Sequence, residues 1–141
     1  MSIFRPVLGD TATRTLSAAL QASLFARGID YMLTSPEAFR QVTDWASPTV
    51  MGLAFALTAI LGLVGVLLKH PALTAISHAT AAAMFFVMGI IGLGPASPTA
   101  GWGWRAPIQY ILGNGVVQLF AANASYDRWL KRRGRRCFMD C

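Results

Sequence analysis

Two stretches of this chain are uncharged, almost wholly apolar and long enough to cross a bilayer. Residues 50–68 hold one hydroxyl, Thr58, among apolar side chains. A helix of about 20 residues rises some 30 Å, the thickness of a hydrocarbon core. Lys69-His70-Pro71 closes that stretch with a charge suited to the interface and a proline that cannot continue a helix. Residues 72–94 form the second stretch, closed by Gly94-Pro95. So short a connection between the two predicts a tight helical hairpin.

Two further stretches follow a weaker version of the same pattern. Residues 107–125 open on Pro107, which suits the first turn of a helix, and carry Gln109, Asn114, Gln118 and Asn123. Tyr126 and Trp129 mark the interfacial end of that helix. The preceding residues 96–106 are rich in Gly, Pro, Ser and Thr and read as a loop, with Trp102, Trp104 and Arg105 suited to the headgroup layer. Residues 16–33 are mostly apolar but include Gln21, Arg27 and Asp30. They predict either a fourth spanning helix or an amphipathic helix lying in the interface. The pattern as a whole predicts an all-α integral membrane helical bundle of four transmembrane helices, or three if the first helix is interfacial.

Charge decides between these. Only 13% of the residues are charged, about half of what a soluble domain needs to cover its surface. Of the 12 basic residues, six lie between Arg128 and Arg136. Under the positive-inside rule that end is cytoplasmic, which puts the Lys69 turn inside and the Trp-rich loop outside. Residues 35–47, with Glu37, Arg40 and Asp44, then also lie outside. A spanning first helix returns Arg5 and Arg14 to the cytoplasm, so four crossings with both termini inside are favoured. The organisation is a cytoplasmic segment 1–15, a bundle 16–125 and a basic cytoplasmic tail 126–141. Residues 1–15 lack the apolar core of a cleaved signal. Lys131, Arg132, Arg133, Arg135 and Arg136 are candidates for contact with lipid headgroups or a cytoplasmic partner. No nucleic-acid module accompanies them.

The candidate chemistry is sparse. Arg27 and Asp30 are three residues apart and can pair on one helix face. Both Arg27 and Asn114 lie about seven residues from the outer end of their helices, roughly 10 Å deep, so they are level. A polar cluster of Arg27, Asp30 and Asn114 is one reading; a pair that snorkels toward the headgroups and fixes helix depth is the favoured one. His78 suits a proton relay or a cofactor ligand, but a polar interhelical contact with Gln118 or Gln21 is favoured. Asn114 and Gln118 share a face and link helices or line a hydrated path. Ala75, Ala79 and Ala83, and likewise Gly52 and Ala56, have the four-residue spacing that lets helices approach closely. Cys137 and Cys141 form no zinc or disulfide framework. Neither a catalytic constellation, a metal site nor a cofactor motif is present, so an enzyme is not expected.

The strings Ala26-Arg27-Gly28-Ile29-Asp30-Tyr31 and Ala122-Asn123-Ala124-Ser125-Tyr126-Asp127 stand within a short polar N-terminus, compact apolar spans and a basic C-terminal tail. In this the chain resembles small membrane proteins of actinobacterial bacteriophages, some of them holin-like. A second likeness, carried by Arg27-Gly28 ahead of a Gly-rich span, is to DoxX-type four-helix membrane proteins. The first resemblance implies a homo-oligomer that permeabilises the cytoplasmic membrane. The alternatives are a membrane-anchored accessory protein that recruits a partner through its basic tail, and a small transporter or redox component. Neither resemblance transfers a catalytic residue.

Overall fold

A computed structural model of the protein describes residues 10–33, 47–93 and 108–139. Residues 35–46, the Trp-rich loop, the extreme N-terminus and Cys141 lie outside the described residues, as do the side chains of Arg135, Arg136 and Cys137. Apart from Ser47 and the turn at residues 68–70, the described residues are helical: α1 (Asp10–Leu33), α2 (Pro48–Leu67), α3 (Pro71–Leu93), and a π-helical turn, Gln109–Gly115, that runs directly into α4 (Val116–Met139). Successive helices pack antiparallel, since Gly28 meets Gly52, Ser77 meets Thr58 and His78 meets Gln118.

Local signals set the helix ends. Ser47 caps α2, its hydroxyl accepting from Val50 N–H at 3.3 Å, with Pro48 at the first position. At the other end, Lys69 N–H donates to Val66 O and His70 N–H to Gly65 O, a Schellman closure. Lys69 occupies its left-handed position at φ 54°, where glycine is usual. His70 then starts α3, its Nδ1 accepting from Leu73 N–H at 3.3 Å. The expected hairpin is therefore built from a C-cap and an N-cap that share three residues.

Two helices, Pro48–Leu67 and Pro71–Ile91, are long and apolar enough to cross a membrane. They coincide with the two uncharged stretches of the sequence. Residues 16–33 and 108–125 also fall in helices, but those helices are too polar to meet the same measure among the described residues. The first begins at Asp10, ahead of the expected boundary at 16, and α4 continues without a break past the expected boundary at 125.

Among the described residues the interior mixes polar with apolar side chains, while much of the outer surface is apolar. Gln21, Ser77, His78, Gln118 and Ser125 are buried, whereas Leu53, Leu57, Ile60, Ile76, Val87, Ile90, Leu119 and Phe120 are exposed. A domain packed for water shows the reverse. At one end the core is aromatic: Phe55 lies between Tyr31 and Phe85, at ring-centre distances of 5.6 and 5.2 Å, and Phe85 stacks on Tyr110 at 6.0 Å.

Small residues decide which helices touch. A Cβ on Gly28 would lie 2.8 Å from Ala56 N and Gly52 O, so α1 and α2 cross backbone to backbone. The Gly52/Ala56 pair thus finds its partner in α1 of the same chain. The Ala75/Ala79/Ala83 stripe splits: Ala75 is buried, but Ala79 and Ala83 are exposed. Thr74, Ser77, His78, Ala81, Ala82, Phe85 and Met88 form the face that packs instead.

Gly28→Ala should therefore lower stability by about 1–3 kcal/mol, because the obstacle is backbone. Gly134→Ala, with nothing within 4 Å, should be neutral or slightly stabilising. Thermal unfolding in detergent followed by circular dichroism compares them. Equal midpoints would refute the close crossing.

Candidate functional site

Four elements converge on the middle of the bundle. Gln21 of α1 crosses α2 over Gly62, where a Cβ would collide with the Gln21 amide and with Ser77 Oγ. The missing side chain lets a long polar residue reach past α2 to α3. There Gln21 Nε2 stands 3.1 Å from His78 Nδ1, and Gln118 Oε1 of α4 stands 2.5 Å from the same nitrogen. Ser77 Oγ donates to Thr58 O at 2.7 Å, completing the polar layer against α2.

One ring nitrogen cannot donate to an amide oxygen and accept from an amide N–H together. The short contact to Gln118 Oε1 makes Nδ1 the donor; with the oxygen and nitrogen of the Gln21 amide exchanged, Nδ1–H bridges both oxygens. His78 Nε2 has no hydrogen-bond partner among the described residues, and Gln21 Oε1 has none as placed. Each such buried atom costs about 1–3 kcal/mol. The layer is polar, and among the described residues its hydrogen bonding is incomplete.

One turn nearer the aromatic end, a cavity of about 30 Å³ lies between α1 and the last helix. Ser23 and Arg27 line it from α1, Phe85 from α3, and Asn114 and Gln118 from the opposite wall. That is room for a water or two. The Arg27 guanidinium sits 5.7 Å above the Phe85 ring and 5.4 Å above Tyr110, within cation–π range. Tyr110 and Tyr31 share a hydrogen bond of 2.7 Å between their hydroxyls. Asn114 belongs to the π-helical turn and donates to Gln109 O at 3.3 Å. Such turns interrupt regular helix bonding and often accompany functional sites.

The sequence located much of this. Arg27 and Asn114 are level and face one cavity, and His78 contacts both glutamines named as its possible partners. Asp30 is exposed and is not among the residues that line this cavity. The inward turn of Arg27 follows from the rings of Phe85 and Tyr110, which offer its charge a partner away from water. Helix spacing alone gave no sign of those rings, because they come from other helices.

The basic run also divides. Arg128 turns back into the bundle, with Nη2 donating to Ser125 Oγ at 2.9 Å and Nη1 reaching Asp10 Oδ1 at 3.4 Å. Arg132 Nη1 donates to Lys69 O at 2.6 Å. Lys131 and Arg133 are exposed, and Arg133 lies 5.4 Å above the Trp129 ring. Among the described residues, no three His, Cys, Asp or Glu side chains gather as a metal site requires.

Replacing Gln118 by Ala, or His78 by Ala, should each cost about 1 kcal/mol or more, because each strands a buried partner. The pair together should cost less than the sum. A double-mutant cycle on detergent unfolding measures this; strict additivity would mean that the two side chains do not interact. The chain matches no family model, no curated protein and no solved structure.

Proposed function

We propose that the chain crosses the membrane four times, with both termini cytoplasmic, and that copies of it permeabilise the membrane in a holin-like manner. The observation that carries this reading is the seam between α1 and α4. These two helices make few contacts with each other, and Ser23 and Arg27 of α1 line a cavity there with Gln118 of α4 and Asn114 of the π-helical turn before it. Parting the seam bares polar side chains, and water then reaches His78 Nε2 and the one Gln21 amide atom, which have no hydrogen-bond partner among the described residues. Hydration of those atoms offsets part of the cost of opening. The apolar outer faces of α2 and α3 stay against lipid, and exposed Ala79 and Ala83 allow a second copy to approach closely.

Inducible expression in a bacterium, with membrane potential followed by a voltage-sensitive dye, tests the activity. Depolarisation after a lag is expected; a culture that stays polarised and viable would sink the reading. The seam is tested by placing cysteines at Ser23 and Asn114, with Cys137 and Cys141 replaced by Ser, and adding a cleavable bismaleimide. Cross-linking should block depolarisation and cleavage should restore it, while either single cysteine has no effect.

Topology is checked separately. A cysteine at residue 3 should resist a membrane-impermeant maleimide in intact cells. Labelling from outside would mean three crossings, with α1 in the interface.

A second reading, a membrane-anchored accessory protein, draws on the continuation of α4 to Met139 beyond the bundle, with Lys131 and Arg133 exposed along it. Truncation after Arg132 separates the two. Unchanged depolarisation assigns the extension to a partner, and lost depolarisation assigns it to the permeabilising assembly.

A further inference from the structure

The basic end of the bundle holds a second cavity, away from the seam site. Arg14 and Ser17 of α1, Lys69 of the α2–α3 turn, Thr74 of α3, and Arg128 and Arg132 of α4 line it. Its enclosed part is small, about 20 Å³, but it widens to about 270 Å³ of unoccupied space counting its open mouth. Four cations therefore converge from two helices and a turn. Asp10 is the carboxylate beside them, 2.7 Å from Arg14 and 3.4 Å from Arg128. Among the described residues, one carboxylate against four cations leaves three positive charges at this mouth.

The arginines are held there by hydrogen bonds and an ion pair, and Lys69 by the backbone of its turn. Lys69 sits in a left-handed conformation at φ 54°, which costs about 1 kcal/mol for a residue with a Cβ. Arg132 ties the turn to α4 by its bond to Lys69 O. Arg128 is fixed by Ser125 and by Ala124 O, to which its Nε donates at 3.3 Å. Converging like charges repel, and a tetrahedral anion with several acceptor oxygens relieves that repulsion while using the planar guanidinium forks.

We propose that this cavity binds one phosphate group, which clamps α1 and the α2–α3 turn to α4. The group is either the phosphodiester of an anionic phospholipid or a free phosphate. The lipid source rests on the reading of this end as a membrane–water interface; the clamp itself does not rest on permeabilisation, so loss of one leaves the other standing.

The test uses the purified full chain in a neutral detergent, with thermal unfolding followed while a probe is added. The probes are inorganic phosphate at constant ionic strength and short-chain phosphatidylglycerol, with phosphatidylcholine as the neutral lipid. A saturable rise in Tm is expected with a phosphate probe and none with phosphatidylcholine. Lys69→Gly removes one charge at a position whose backbone suits glycine, and should weaken the apparent affinity about fivefold. Lys69→Gly with Arg132→Gln should weaken it about 25-fold. Arg133→Gln, outside the cavity, should leave it unchanged. A response to phosphatidylglycerol alone assigns the site to lipid, and a response to inorganic phosphate assigns it to a free anion. No saturable response, or equal weakening by Arg133→Gln and Lys69→Gly, overturns the proposal. Should the double variant fail to fold, Lys69→Gly against Arg133→Gln decides it alone.

Discussion

The backbone contact between Gly28 and Gly52 governs how the rest of the bundle is arranged. With no side chain at either position, α1 and α2 lie close enough for Gln21 to cross over Gly62 and reach His78 on the far side. The same closeness seats Tyr31 on Phe55, which leads on to Phe85 and Tyr110. A wider crossing would withdraw Gln21 from the polar layer and Tyr31 from the aromatic column together. One sterically tight pair therefore holds two chemically different halves of the core in register.

The polar layer has an uneven energy. Its hydrogen bonds join α1, α3 and α4 through a single ring nitrogen of His78, and two buried polar atoms have no partner among the described residues. An apolar core would be more stable and would have nothing to gain from water. The retained polar groups make the closed bundle less stable than it need be, and the deficit is concentrated beside the α1–α4 seam. Arg27 adds to this, since a guanidinium held over two rings keeps its charge available to the cavity it lines. At the basic end the balance is electrostatic, with Asp10 meeting Arg14 and Arg128 while Lys69 and Arg132 meet at the turn.

The sequence alone determined the two apolar helices, the turn at Lys69-His70-Pro71 and the level placement of Arg27 and Asn114. These follow from local periodicity, helical rise and proline chemistry, which act within one segment. It also named Gln21 and Gln118 as partners for His78, because few other polar groups were available at that depth. Tertiary structure decided what required a second segment: that Gly52 and Ala56 pack on Gly28 rather than on another copy, that Ala79 and Ala83 face outward, and that Arg27 turns to Phe85 and Tyr110 while Asp30 is exposed. It also divided the basic run, drawing Arg128 and Arg132 into the bundle with Asp10 and Lys69. The physical reason is common to all of these. Charge and side-chain spacing fix where a residue lies along its own helix, but rotation about the helix axis is set by the neighbours that the residue meets.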